Sequence, residues 1–459
     1  MALKLLLKKS VEQHLDGDDL LLIDCSRSLR YKKISKSLLE LFNRLASGGG
    51  TLEQLLKPYP SLPLMIELLH LEKRGLLNLT LIADKGPAIS LMPIGHSFER
   101  QLPPAGEKQI QLSRFLQIKP LGTALQLEVP LQGKLLLLED SRLAFLLWEL
   151  ALPVTSSALE QKLPLDLKNQ SEDLFILLLS AGVAGVVDID GKLSCDSQAE
   201  QQRWSREDLA MHHRSRNGWH QEAIGANFRG AGVEASGPLV PQVTALQLLD
   251  LPRPKQEEPD PGFFSVLERR ASIRNPGNSP ITLEKLGRLL WASLRIKSRY
   301  QPYEGTTQSY EGAIRPVACG GAIHEIDIYL TVQRCEELVA GLYRYDPDNH
   351  QLIHLDKLNT FCEQLLQDAC CSSGAARQPD ILINFAARYG RVSWKYEGLT
   401  YSLILKHVGT IMQQLYLVAT ALDLAPCSLG SGDSALFSRA TKRNPFSDAA
   451  VGEFMISGR

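Results

Sequence analysis

The chain repeats itself. Leu-Glu-Gln at 52–54 recurs at 159–161, an offset of 159 − 52 = 107 residues, and the same offset carries Gly75 onto Gly182. A repeat at fixed spacing dictates architecture, because two copies of one unit fold alike. Each copy starts with a strand-like run, LLLID at 20–24 or KLLLLED at 134–140. An apolar helix follows in each, SLLELFNRLA or RLAFLLWELA. The second helix of each copy stops at its glycine, as a C-terminal cap requires. A short apolar strand, NLTLIA or VVDID, comes next. Strand, helix, turn, helix, strand is the order of a winged helix-turn-helix. The expected units are residues 1–100 and 101–200.

Such units bind DNA when a basic, polar recognition helix faces outward. Here the candidates, PLMIELLHLEKRG and SEDLFILLLSAG, are apolar or acidic, and the whole chain carries a net charge of only −1. Both facts argue for packing helices and against a nucleic-acid partner. A winged unit also offers a strand edge and a groove that can take an extended peptide.

Residues 201–262 read as a connector. They open polar and charged and end in PRPKQEEPDPG, a proline- and charge-rich linker. His212, His213 and His220 lie here without a companion carboxylate or cysteine pattern, so a solvated or packing role is expected and metal binding is not. The 459 residues suffice for two to four domains. No signal peptide and no run of about 20 apolar residues, as a membrane span needs, is present. The eight cysteines are scattered, with no zinc spacing. This usage fits a reducing, cytosolic setting.

The back half carries the chemistry. In FFSVLERRASIRNPG, Arg269, Arg270 and Arg274 cluster around Ser272. Guanidinium forks beside a hydroxyl suit a phosphate. In IRPVACGGAIHEIDIYLTV, Pro316, Ala318, Cys319 and Gly320 form a small-residue stretch that lets backbone approach a flat ligand. Strands are expected over EIDIYLTV and DILINFAARYG, and a hairpin over GLYRYDPDNHQLIHL. SWKYEG then precedes LTYSLILKHVGTIMQQLYLVATALDL, a helix apolar nearly all round and so expected to be buried in a core or interface.

These segments, in this order, resemble the FMN-dependent nitroreductase family. The resemblance implies an α+β domain over 263–459, an antiparallel-rich sheet flanked by helices, dimeric through the helix at 399–422. It implies FMN held by Arg269, Arg270, Ser272 and Arg274, and approached by Pro316, Ala318, Cys319 and Gly320. Ala318 stands where the family has serine, which puts a hydroxyl contact there in question. Gln413, the backbone of Gly430 and Ser431 in SLGSGDS, and terminal Arg459 complete the implied flavin site. The Lys395–Tyr396 pair, with two winged units in front, resembles the azoline oxidases of ribosomal peptide biosynthesis, most closely the cyanobactin thiazoline oxidases. That branch implies oxidation of thiazolines or oxazolines to aromatic rings in a precursor peptide, with O2 reoxidising the flavin. The winged units are then the modules that hold the leader peptide.

Free lysine and tyrosine both titrate near 10, so neither is a ready base at neutral pH. In a partly dry site either is expected to remove the ring proton while the other orients it or balances charge. Two further functions fit parts of the sequence. One is an NAD(P)H-dependent nitro- or quinone reductase with a regulatory front half; the other is a transcriptional regulator with a flavin sensor, against which the non-basic helices argue.

Overall fold

A computed structural model describes residues 3–24, 27–57, 61–94, 98–102, 106, 108–254 and 261–459. Most of the linker PRPKQEEPDPG, residues 255–260, lies outside these, as does Cys25. The chain divides into two compact units, Met1–Glu222 and Ala223–Arg459. Among the described residues no helix is long and apolar enough to cross a membrane.

In the first unit the repeat is visible as structure. Helix Leu62–Lys73 and helix Ser171–Ser180 are its equivalent elements, and Gly75 (φ 65°) and Gly182 (φ 70°) end them in the left-handed conformation. Strands Leu77–Ala83 and Ala184–Val186 follow. The two copies do not fold apart. One seven-stranded sheet runs Gly50–Thr51, Lys4–Leu7, Leu77–Ala83, Gly86–Pro93, Lys134–Leu138, Ala124–Glu128, Gln117–Leu121, and so draws strands from both. Leu5, Leu45, Leu79, Leu136, Leu159 and Leu177 lie in one continuous core. Each such leucine contributes about 1.5–3 kcal/mol by leaving water.

Part of the connector forms regular structure. Helix Arg206–Arg214 belongs to the first unit, where buried His213 bonds Glu128 (2.9 Å) and accepts from the Leu131 N–H (3.2 Å). His213 therefore has the carboxylate partner that its sequence neighbourhood lacks. Glu128 is 85 residues away, which hides the pair from a local reading.

The second unit is α+β, as expected. Its seven-stranded sheet is antiparallel throughout. We number β1 (Gln247–Asp250), α1 (Phe263–Arg269), α2 (Leu283–Leu294), β2 (Ile326–Val332), β3 (Gly341–Asp346), β4 (Gln351–Lys357), α3 (Thr360–Ser373), β5 (Ile381–Arg388), α4 (Tyr389–Lys395), α5 (Thr400–Ala421), β6 (Ala425–Leu429) and β7 (Asp448–Ser457). The sheet order is β1-β4-β3-β2-β5-β7-β6. Central β2 and β5 are buried on both faces, apart from half-buried Arg388 at the end of β5, and read as near-continuous apolar runs.

Helix α5, expected to be buried in a core or an interface, buries one face in the protomer. Ile404, Val408, Ile411, Leu415 and Ala419 face the core, at the 3–4 residue spacing of one helix face. Tyr401, Leu405 and Gln413 of the same helix are exposed in the protomer. α5 nevertheless organises the domain, because two separated clusters of polar side chains hang from its length.

Candidate active site

The first cluster surrounds Lys395 and Tyr396. Lys395 closes the short helix α4, and Gly398 (φ 76°) turns the chain into α5. This places the lysine side chain inside, only 6% exposed. Its Nζ donates to the Tyr310 hydroxyl (2.7 Å), which in turn donates to the Gly321 carbonyl (2.7 Å). A Cβ at Gly321 would lie 2.6 Å from Lys395 Nζ and 2.9 Å from Tyr396 Oη. Both polar heads therefore converge on one glycine, at φ 62°, where no side chain would fit. Burial raises the Tyr396 phenol above its ordinary 10, and the neighbouring lysine only partly counters this. Burial raises Tyr310 as well. At neutral pH both are phenols.

Gly321 belongs to a turn held from below. The Gly320 N–H donates to His407 Nε2 (2.8 Å) on α5, and Thr410 Oγ1 donates to the Ala318 carbonyl (3.3 Å) one turn further along. Because Gly320 can only donate, Nε2 is the lone-pair nitrogen of His407 and Nδ1 carries the proton. Nδ1 donates to Glu325 (2.7 Å), whose side chain is fully buried. The Cys319 thiol points to the same carboxylate (3.4 Å). Burial pushes this thiol up, so it is a protonated donor rather than a thiolate. Cys319, Glu325 and His407 have the separations of a metal-ligand set. The hydrogen bonds already account for them, and a cation at Nδ1 would force an N–H of Nε2 against the N–H of Gly320.

The second cluster lies nine residues along α5, on the order of 13 Å at 1.5 Å per residue. The Tyr416 hydroxyl meets Ser272 Oγ (2.7 Å) and Ser428 Oγ (3.1 Å) and accepts from the Ser428 N–H (2.8 Å). Arg270 lies over the Tyr416 ring (5.4 Å). The Ile273 N–H donates to the Pro426 carbonyl (2.8 Å), which fixes the Arg-Ala-Ser-Ile-Arg stretch against β6. Arg269, Arg270 and Arg274 are exposed. Guanidinium charges beside hydroxyls form a donor set that fits a phosphate.

Residues 267–443 match the nitroreductase family. They are a nitroreductase-family oxidoreductase domain. Residues 110–221, in the first unit, match the family described as cyanobactin oxidase ThcOx. A Methanocaldococcus jannaschii protein named as a nitroreductase is 29% identical over 187 residues, which is 40% of this chain and 83% of that protein. A crystal structure named as a nitroreductase from Ralstonia eutropha aligns with 49% of this chain and 97% of its own, at 22% identity and a TM-score of 0.37. An E. coli microcin synthetase complex with truncated pro-MccB17 bound aligns with 40% of this chain and 65% of its own, at 19% identity and a TM-score of 0.32.

Within the nitroreductase domain, Arg270 and Ser272 meet at the α5–β6 end, and at the other Cys319 and Gly320 meet Glu325 and His407, while the next residue, Gly321, faces Lys395 and Tyr396. Pro316 is half-buried and Ala318 exposed on the same loop. Ser431 Oγ bonds Ser372 of α3 (3.0 Å), next to exposed Gly430. Gln413 is exposed on α5, between the two clusters in sequence. The Arg459 guanidinium pairs with Asp423 (2.7 Å), while its backbone packs on Gly277. Tyr310, Glu325, His407, Tyr416 and Ser428 carry the geometry without having been singled out from the sequence. His407 and Tyr416, nine residues apart, are two of several polar residues in helix α5, and nothing in the local pattern marks them out from Thr410 or Gln413.

Proposed function

We propose that this chain dehydrogenates thiazoline or oxazoline rings in a ribosomally made peptide, with FMN as its cofactor. The observation that carries the reading is the convergence of Lys395 Nζ and Tyr396 Oη on Gly321. The cyanobactin-oxidase match of the first unit supports it. Arg270, Ser272 and Arg274 would hold the FMN phosphate, with Gly430 and Ser431 as further contacts. Bound FMN would take a hydride equivalent from the ring carbon and pass its electrons to O2. The side chains then manage one proton. Lys395 donates hydrogen bonds as an ammonium and balances negative charge, and Tyr396 takes the proton alpha to the carbonyl.

The test is a mass shift. The yellow protein, incubated aerobically with a thiazoline peptide and no nicotinamide, should remove about two mass units per ring, the hydride and the proton. No loss, together with rapid NADPH-driven flavin reduction, would favour the nitro- or quinone-reductase reading. The pH profile separates the roles of the pair. Because burial holds Tyr396 protonated, kcat/KM should climb through pH 8–10 as phenolate forms, and Tyr396→Phe should flatten the climb. A wild-type rate flat across that range would remove Tyr396 as the base.

Arg270→Ala should weaken FMN binding roughly 10–100-fold, the range for one lost charged hydrogen bond. Fluorescence titration of FMN checks this, and an unchanged Kd would place the phosphate elsewhere. The seat for the precursor peptide is in the first unit. A cavity of about 700 Å³ between strand Lys4–Leu7 and helix Leu62–Lys73 is lined by Leu3, Leu5, Met65, Leu68, Leu69 and Phe98. We read the repeated units as winged modules that hold the leader there. Exposed Phe263, Phe264, Leu267, Tyr401 and Leu405 on α1 and α5 supply the surface for a homodimer.

A further inference from the structure

Residues 225–241 fall between the two family-matched stretches, which end at 221 and begin at 267. By composition they are linker. In the structure they are stitched to the segment that bears Lys395 and Tyr396. Gly225 and Ala226 pair antiparallel with Glu397 and Tyr396. The Phe228 N–H donates to the Lys395 carbonyl and the Gly230 N–H to the Trp394 carbonyl, both 3.0 Å. Asn227 Nδ2 donates to Glu397 (2.6 Å), and Trp394 Nε1 donates to the Glu234 carbonyl (2.9 Å). Arg388 then reaches the carbonyls of Pro238 (2.5 Å) and Leu239 (2.8 Å). Gly230 must be glycine, because a Cβ there would enter the Trp394 indole.

Phe228 stands out. It is a bulky residue at φ 55°, a conformation that side chains of its kind avoid, and it persists only where the surroundings hold it. Its ring meets Trp394 (5.8 Å) and Tyr303 (5.2 Å) edge-on. Lys395 Nζ lies 5.2 Å from the Phe228 centroid, 4.6 Å from that of Tyr310 and 5.3 Å from that of Tyr396. Three rings thus box the ammonium, and the strap supplies one of them.

We infer that Phe228 is a positioning residue for Lys395, and that the strap 225–239 is a built wall of the catalytic site rather than a tether. The inference rests on the reading of Lys395 given above. An ammonium kept among aromatic faces is held in place with no carboxylate paired to it among the described residues, so its remaining N–H groups are available to substrate and to Tyr396. Glu397, the nearest carboxylate along the chain, is occupied by Asn227 and by Arg229 (3.6 Å), both from the strap.

The test uses full-length holoprotein labelled with ¹³C-lysine. The Lys395 ε-methylene signal, assigned by its loss in Lys395→Arg, should sit upfield from the ring currents. Phe228→Leu keeps apolar bulk and removes the π face. It should move that signal downfield and lower kcat on a thiazoline peptide about tenfold, within the range of one desolvated cation–π contact. KM and FMN content should stay at wild-type values, and Phe228→Tyr and Phe228→Trp should restore kcat. Gly230→Ala lifts the strap from Trp394 without altering the ring, and should move the signal in the same direction. A Phe228→Leu protein with wild-type kcat and an unmoved Lys395 signal overturns the inference. If wild-type protein oxidises no azoline, the functional reading fails instead, and the lysine signal still decides the role of Phe228.

Discussion

Lys395→Ala is expected to lower kcat for the proposed thiazoline dehydrogenation by about 10²–10⁴-fold, the range for a positioned proton-transfer group, and to leave FMN content unchanged. The size follows from enclosure. The ammonium is buried and directed by Tyr310, and no second lysine occurs in the 318–321 turn or the 388–397 segment. Removing it leaves the Tyr310 hydroxyl without its donor and opens a gap beneath Tyr396. Lys395→Met fills the gap with an apolar stem, so it separates charge from packing. If Lys395→Met retains wild-type kcat, the lysine is a packing residue and the proposed mechanism fails. Tyr396→Phe should match the loss in kcat, because the ring and its backbone pairing to Ala226 survive while the proton acceptor does not. Similar losses for both single variants, with little added in the double, would mark a unit acting together.

The fold was legible where the signal was local. The 107-residue offset found both helix pairs of the first unit, and the alternating and apolar runs found β2, β3, β4 and β5. The shared sheet was not legible, because strands joining from different copies leave no periodic mark. Helix α5 reads as apolar nearly all round because its face away from the protomer core carries Tyr401 and Leu405 beside a single full charge, Lys406. In the site, the basic-serine stretch and the Lys-Tyr pair were legible because their members are adjacent. Phe228 was not, being 395 − 228 = 167 residues from its lysine, inside a stretch whose composition reads as connector. Glu325 reads as the first polar residue of a strand, and only the fold brings it to His407, 82 residues on.

That pair is the second place where a single substitution should act strongly. Glu325→Ala is expected to cost about 3 kcal/mol of folding stability, since it strips a buried acceptor from two donors at once, His407 Nδ1–H and the Cys319 thiol. Glu325→Gln keeps a carbonyl for His407 and should lose markedly less. The loss should not stay in the stability measurement. His407 Nε2 accepts from Gly320 only while Nδ1 keeps the proton, and Glu325 is what keeps it there. With the acceptor gone the imidazole is free to take the other tautomer, which sets two N–H groups face to face and pushes the turn off α5. Gly321 moves with it, and Gly321 is the floor on which Lys395 Nζ, Tyr396 Oη and Tyr310 Oη meet. His407→Ala should therefore lower kcat by more than tenfold at temperatures where the protein is fully folded, an amount consistent with a displaced catalytic pair. Denaturant melts of both variants, beside kcat measured well below the transition, separate the two effects. A His407→Ala protein that is destabilised but turns over at the wild-type rate would show that the turn holds its shape without the histidine, and would confine the Glu325–His407 pair to stability.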